Sequence, residues 1–213
     1  MLMTMIPSPD QRSTFAVGKT LRWRLRPIER RSAVALLLSL PSGKRPMRAC
    51  GSCTLCCKVM AITALNKPMN KWCEFCDTGA GCKIYPTRPS ECRTFDCLWL
   101  SDENFPDEFR PQRSKIVFTV EHAGRRVSAH VDAAFPGAWQ EKRLYALLKR
   151  MSAVQAQKNS QLLVFIGRRA IAVLPDRDVD LGDVNLEGNA IFYEKNRATG
   201  RIEVTVGAAP PAS

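Results

Sequence analysis

Long hydrophobic runs are missing from this chain. Its longest apolar stretch, AVALLLSL from Ala33 to Leu40, falls far short of the roughly 20 residues a helix needs to cross a bilayer. As a secretory signal it stands too late, behind an Arg-rich stretch, and PSG follows it rather than a small-x-small cleavage site. Export and a disulfide framework are therefore not expected, and a cytoplasmic protein of bacterial type is. Catalytic signatures are missing too: there is no P-loop, GxGxxG, GxSxG or HExxH. Histidine occurs only at His122 and His130, far in sequence from any cysteine, so both read as structural or surface residues. No cysteine lies outside the segment from Cys50 to Cys97.

The excess of positive charge is uneven. Residues 1 to 48 carry ten Lys/Arg against two acids, whereas residues 49 to 213 carry 22 against 18. A phosphate-binding surface would place its cations on the folded body, so this distribution argues against nucleic acid as a partner. Residues 1 to 46 are read as a disordered basic extension, or as a start placed too early with Met47 the true one.

All nine cysteines fall between Cys50 and Cys97. Free cysteines normally scatter through a core as small hydrophobes, so the clustering needs a local cause. CxxC pairs let two thiolates converge on one ion, in zinc sites and in iron-sulfur sites alike. Cys50, Cys53 and Cys56 form CxxCxxC, and Cys73 with Cys76 forms a second CxxC. Either Cys50-Cys53 or Cys53-Cys56 has the spacing to join Cys73-Cys76 in a four-cysteine zinc site. CxxCxxC also opens a bacterial ferredoxin motif, but the Cys-Pro continuation is missing. Cys57 directly follows Cys56, and neighbouring side chains point in different directions. The pair therefore suggests two sites, the second completed with Cys82, Cys92 and Cys97, or one cluster with a thiol in reserve.

The run CxxCxxCC, a downstream Cys, and then CKIYPTRPSECRTFDC from Cys82 to Cys97 resembles the YkgJ-like cysteine-cluster family, a zinc- or iron-chelating domain. The resemblance covers about Cys50 to Leu100, and Arg110 to Lys115 extends it. It implies Cys50, Cys53, Cys56, Cys57, Cys73, Cys82, Cys92 and Cys97 as ligands, with Cys76 added by a variant form of the pattern. Flagellin lysine methylases carry a related cluster, but no cofactor signature here supports transferring methylation.

Pro86 and Pro89 bias Tyr85 and Arg88 towards extended conformations, which holds the loop between Cys82 and Cys92 open. Arg88 and Arg93 are expected to offset thiolate charge or to donate hydrogen bonds to sulfur. Trp72, Phe75, Tyr85, Phe95 and Trp99 are expected to cover the site.

After Arg113 the pattern becomes regular. KIVFTVEH and RRVSAHVDA alternate about Ala123-Gly124, which predicts a hairpin. AWQEKRLYALLKRMSAVQAQ places Leu144, Leu147, Leu148, Met151 and Val154 at helical spacing. LLVFI with AIAVL, and AIFYE with RIEVTV, predict two further hairpins. DRDVDLGDVNLE sets Asp176, Asp178, Asp180 and Glu187 at EF-hand positions, but Leu181 stands where glycine is required, so a polar loop is expected.

The expectation is an α+β protein. A metal-stabilised cysteine-rich module, 47–112, packs on a mainly antiparallel sheet with one amphipathic helix, 113–207, followed by a tail, 208–213. Its expected function is chelation of zinc or iron, an iron-sulfur cluster included, with a metal ion as partner, no membrane and no assigned catalytic residue. An iron-sulfur redox or maturation enzyme and a zinc module binding nucleic acid are the alternatives.

Overall fold

The computed structural model describes residues 48–185 and 188–209, so the basic segment 1–46 and Glu187 of the EF-hand-like pattern lie outside the described residues. Alternation builds the main sheet. Strands β3 (Ile116–Glu121) and β4 (Arg126–Val131) form the predicted hairpin, with Phe118 opposite Ala129. They follow two very short strands, β1 (Cys76–Asp77) and β2 (Gly81–Cys82), which pair only with each other. Strands β5 (Gln161–Ile166), β6 (Arg169–Val173) and β7 (Asp178–Asp183) complete a five-stranded sheet in the order β3-β4-β5-β6-β7. Gly167, at φ +61°, supplies the positive φ that the tight β5–β6 turn needs.

Two features differ from the sequence reading. β4 and β5 run parallel, Val127 opposite Leu162, because the chain crosses the sheet through the helix Lys142–Gln157 before returning in the same direction. The stretch expected to be a polar loop is the edge strand β7. Half-buried Val179 and Leu181 alternate there with exposed Asp178 and Asp180, a period of two hidden among the acids.

Four short helices precede or lead into the sheet: α1 (Leu55–Val59), α2 (Ser90–Thr94), α3 (Leu98–Ser101) and α4 (Pro111–Ser114). The long helix, α5 (Lys142–Gln157), starts where the Glu141 carboxylate accepts the Arg143 and Leu144 N–H groups at 3.1 and 3.0 Å, satisfying two donors of the first turn. Its Leu144, Leu147 and Leu148 are buried against Ile116, Phe118, Val127, Val131, Leu162 and Val164. Each such side chain contributes about 2 kcal/mol by leaving water.

The opposite face is covered in two places. The hairpin β8 (Asn189–Lys195) and β9 (Ile202–Ala208) packs Ile191, Tyr193 and Val204 over Leu163, Phe165, Ala170 and Ala172. Leu55 and Val59 of α1 cover Val117. Trp99, Phe105 and Phe109 meanwhile join the α5 side of the core. The cysteine-bearing segment therefore packs on edge strand β3 from both faces. Among the described residues, no helix is long and apolar enough to cross a membrane.

Candidate functional site

Eight of the nine cysteines line one cavity of about 630 Å³. They are Cys50, Cys53, Cys56, Cys57, Cys73, Cys82, Cys92 and Cys97, and Cys76 is the one left out. All nine are free thiols. Short elements deliver them from several directions. Cys50 and Cys53 sit on a tight turn, with the Cys53 N–H donating to the Cys50 carbonyl at 2.9 Å and Gly51 at φ +51° between them. Cys56 and Cys57 lie on α1, Cys92 on α2, and Cys97 immediately before α3. The Cys73 N–H donates to the Cys57 carbonyl at 3.0 Å, which hangs the second CxxC from α1.

The thiols fall into two neighbourhoods by their mutual influence. Cys50, Cys53 and Cys97 form one, and Cys56, Cys57, Cys73, Cys76 and Cys92 the other, with Cys82 beside Cys92. Cys56 and Cys57, expected to point in different directions, both line the cavity. A step of about 100° round a helix separates neighbours by less than the wide cavity spans. Among the described residues, no three His, Cys, Asp or Glu side chains are gathered closely enough to hold one metal ion as they stand.

Burial first, and then the neighbouring thiols, push the Cys50 and Cys92 thiols upward. For Cys76 the same causes reach about 11. A hydrogen bond with Cys56 raises Cys57, with burial adding to it. Burial also raises Cys97, opposed by the nearby backbone of Leu100 and Trp99. Such thiols keep their protons near neutrality unless a cation replaces them.

Cationic groups border the thiols. Arg88 lines the cavity, stacks over the Tyr85 ring at 3.8 Å, and has a buried Nε–H without a partner. Arg93, expected to help, is exposed on α2 and stands away from the cavity lining. Phe75, Tyr85, Phe95 and Trp99 line the cavity, whereas Trp72 lies outside it under the Lys58 ammonium.

Lys67, which carries no sequence signal, is only 8% exposed. Its ammonium donates to the carbonyls of Lys58 at 3.0 Å, Pro68 at 3.2 Å and Met60, closing the loop that follows α1. Burial lowers its pKa, opposed by Cys73, Cys57, Cys56 and Cys92, so the charge stands beside the second thiol neighbourhood. Arg48 likewise escaped the sequence reading: it donates to the carbonyls of Trp99, Asp102 and Phe105 at 2.6, 2.8 and 2.6 Å. Glu91 accepts the Thr63 N–H at 2.8 Å, joining two parts of the cavity wall. His122 and His130 are absent from that wall.

The donor set suits a thiophilic metal. Eight thiols make up most of it, with the Glu91 and Asp96 carboxylates also on the wall, and Arg88 keeps an N–H free to donate. No family model, curated protein sequence or solved structure matches the chain.

Proposed function

We propose that this is a metal-binding protein that holds zinc or iron with the thiolates of its cysteine-lined cavity. The observation that carries the reading is the convergence of eight cysteines, from Cys50 to Cys97 in sequence, on one cavity. Nothing in the packing requires this, because thiols serving only as small hydrophobes would be spread through the core around α5. The resemblance of Cys50–Leu100 to the YkgJ-like chelating family supports the same reading and the same eight ligands.

The chain's own residues divide the work. With a metal bound, the thiols would have given up their protons, Arg88 and Lys67 would offset the thiolate charge, and Phe75, Phe95 and Trp99 would limit the access of water. Bound zinc would supply folding free energy to the loops, and an iron-sulfur cluster would supply electron transfer. Eight thiols on one cavity of about 630 Å³ are donors enough for a cluster or for two ions.

Metal analysis with an absorption spectrum, on the full chain purified without oxygen, tests the reading. About two colourless zinc ions per chain identify paired four-thiolate sites. Iron with matching sulfide and a broad visible band identifies a cluster. A reduced protein that retains no metal after incubation with zinc or with iron and sulfide sinks the proposal.

A further inference from the structure

Two loops meet on the surface beside α1 and the β5–β6 turn. The Asn70 side chain accepts the Ala133 N–H at 3.4 Å and lies against Gly167. Lys58 ties the loops together: its ammonium holds the Asp132 carboxylate at 2.6 and 2.8 Å and stands 5.6 Å from the centre of the Trp72 ring. The Asp132 N–H donates to the Lys115 carbonyl at 2.9 Å, and the Lys115 ammonium stands over the Phe135 ring at 5.3 Å. This surface carries Met69, Trp72 and Phe135, which are 44%, 44% and 50% exposed. Single exposed apolar side chains are ordinary, whereas three gathered on one surface mark a place of contact. Aromatic residues, Met and Arg are also the types enriched where proteins meet.

We propose that this surface docks an acidic segment of another protein, which seats an apolar side chain against Trp72 and Phe135 and turns its carboxylates to Lys71, Lys115 and Arg168. Exposed Lys71 stands between Asn70 and Trp72, half-buried Lys115 covers Phe135, and exposed Arg168 follows Gly167. Of the acids in these loops, Asp132 is 3% exposed and neutralised by Lys58, which leaves Glu74 as the exposed one. Three cations against one acid favour a negatively charged occupant.

The same charges disfavour the occupants that this chain itself offers. A second copy seated on the surface would bring like cations together. Residues 1 to 48 carry ten Lys/Arg against two acids, so that segment is repelled as well. The rings also favour a protein over a lipid surface. A cation stands over each of them, Lys58 at Trp72 and Lys115 at Phe135, and about half of each side chain is open. Rings held in this way suit stacking against a partner's side chain, whereas anchoring in a bilayer needs apolar groups that reach roughly 5–10 Å into it. Neither the docking nor its test depends on a bound metal.

The test follows the tryptophan indole N–H signals of the full chain, labelled with nitrogen-15, by NMR; Trp72→Phe assigns the signal of Trp72. The probes are a blocked peptide with a central Leu-Phe flanked by Glu and Asp, the same peptide with Gln and Asn in their place, and phosphatidylcholine vesicles with and without phosphatidylserine. The acidic peptide is expected to shift the Trp72 signal saturably, and the uncharged peptide to bind about tenfold more weakly. Lys71→Glu with Arg168→Glu, and separately Phe135→Ala, should each weaken the acidic peptide by about tenfold. Unchanged Trp99 signals show that these variants remain folded. A Trp72 signal that ignores the acidic peptide, or answers both peptides alike, overturns the proposal. So does its loss on phosphatidylserine vesicles in place of a peptide response, which assigns the surface to lipid. Broadening with protein concentration alone assigns the surface to a second copy and overturns the proposal too.

Discussion

Lys58 Nζ lies 2.6 Å from one carboxylate oxygen of Asp132 and 2.8 Å from the other. The side chains are 16% and 4% exposed. Lys58 follows Cys57 on α1 and Asp132 follows the last residue of β4, so this nearly buried pair fastens the thiol-bearing helix to the sheet. Removing one partner strands the other charge. Lys58→Met is expected to cost about 3 kcal/mol in urea unfolding, and adding Asp132→Leu to restore most of it. Equal losses in the single and double variants would count against an ion-pair role.

Metal removal is expected to loosen the cysteine-bearing segment first. Its buried apolar contacts are few: Leu55 and Val59 against Val117, and Trp99, Phe105 and Phe109 in the main core. Loss of a structural metal can remove on the order of 10 kcal/mol of folding free energy from such a region. Limited trypsin proteolysis with a chelator should cut at Lys58, Lys83 or Arg93 before it cuts within 116–173. Identical cleavage patterns with and without chelator would refute this.

Lys67→Met is expected to destabilise the metal-free protein by about 2 kcal/mol, since it leaves the Lys58, Met60 and Pro68 carbonyls without their shared donor. Thermal unfolding of the wild type and the variant, both metal-free, measures it. Metal affinity should also fall, because a positive charge beside Cys73 and Cys57 is lost. Lys67→Arg should restore the charge but not the buried fit.

Glu121 makes a pH-dependent contribution. Burial pushes its carboxyl upward, but hydrogen bonds from His130 and Thr119 outweigh burial and hold it at about 2, below its ordinary 4.5. Thr119 Oγ1 donates to Glu121 Oε1 at 2.8 Å, and His130 Nε2 lies 3.6 Å from the same oxygen. A lowered carboxylate pKa stabilises the fold fully above about 4.5, and that stabilisation is lost as pH falls towards about 2. With the side chain 34% exposed, solvent screening leaves roughly 1 kcal/mol to lose in Glu121→Gln near neutrality. The gap between variant and wild type should close as urea unfolding is repeated in acid; a gap that widens there would disprove the assignment.

Much of the fold was legible because burial imposes a period. Ile116, Phe118, Val127, Ala129 and Val131 alternate, and Leu144, Leu147 and Leu148 repeat at helical spacing, so the first hairpin and α5 could be read directly. Strand β7 was missed because its period rests on Val179 and Leu181 alone, between acids that invite another frame. The parallel pairing of β4 with β5 was missed because strand direction depends on where α5 returns the chain, and periodicity carries no information about direction.

At the candidate site, the clustering of all nine cysteines between Cys50 and Cys97 drew attention to the thiols, and their spacing left the ligand set open. Tertiary structure decided which of them share a cavity. It left Cys76 off the cavity wall, opposite Cys82 in the β1–β2 ladder. It also brought Lys67 to three carbonyls and left Arg93 exposed. A charged side chain takes its role from whichever chain segments the fold sets beside it, and for Lys67 and Arg93 only the packed structure supplies those neighbours.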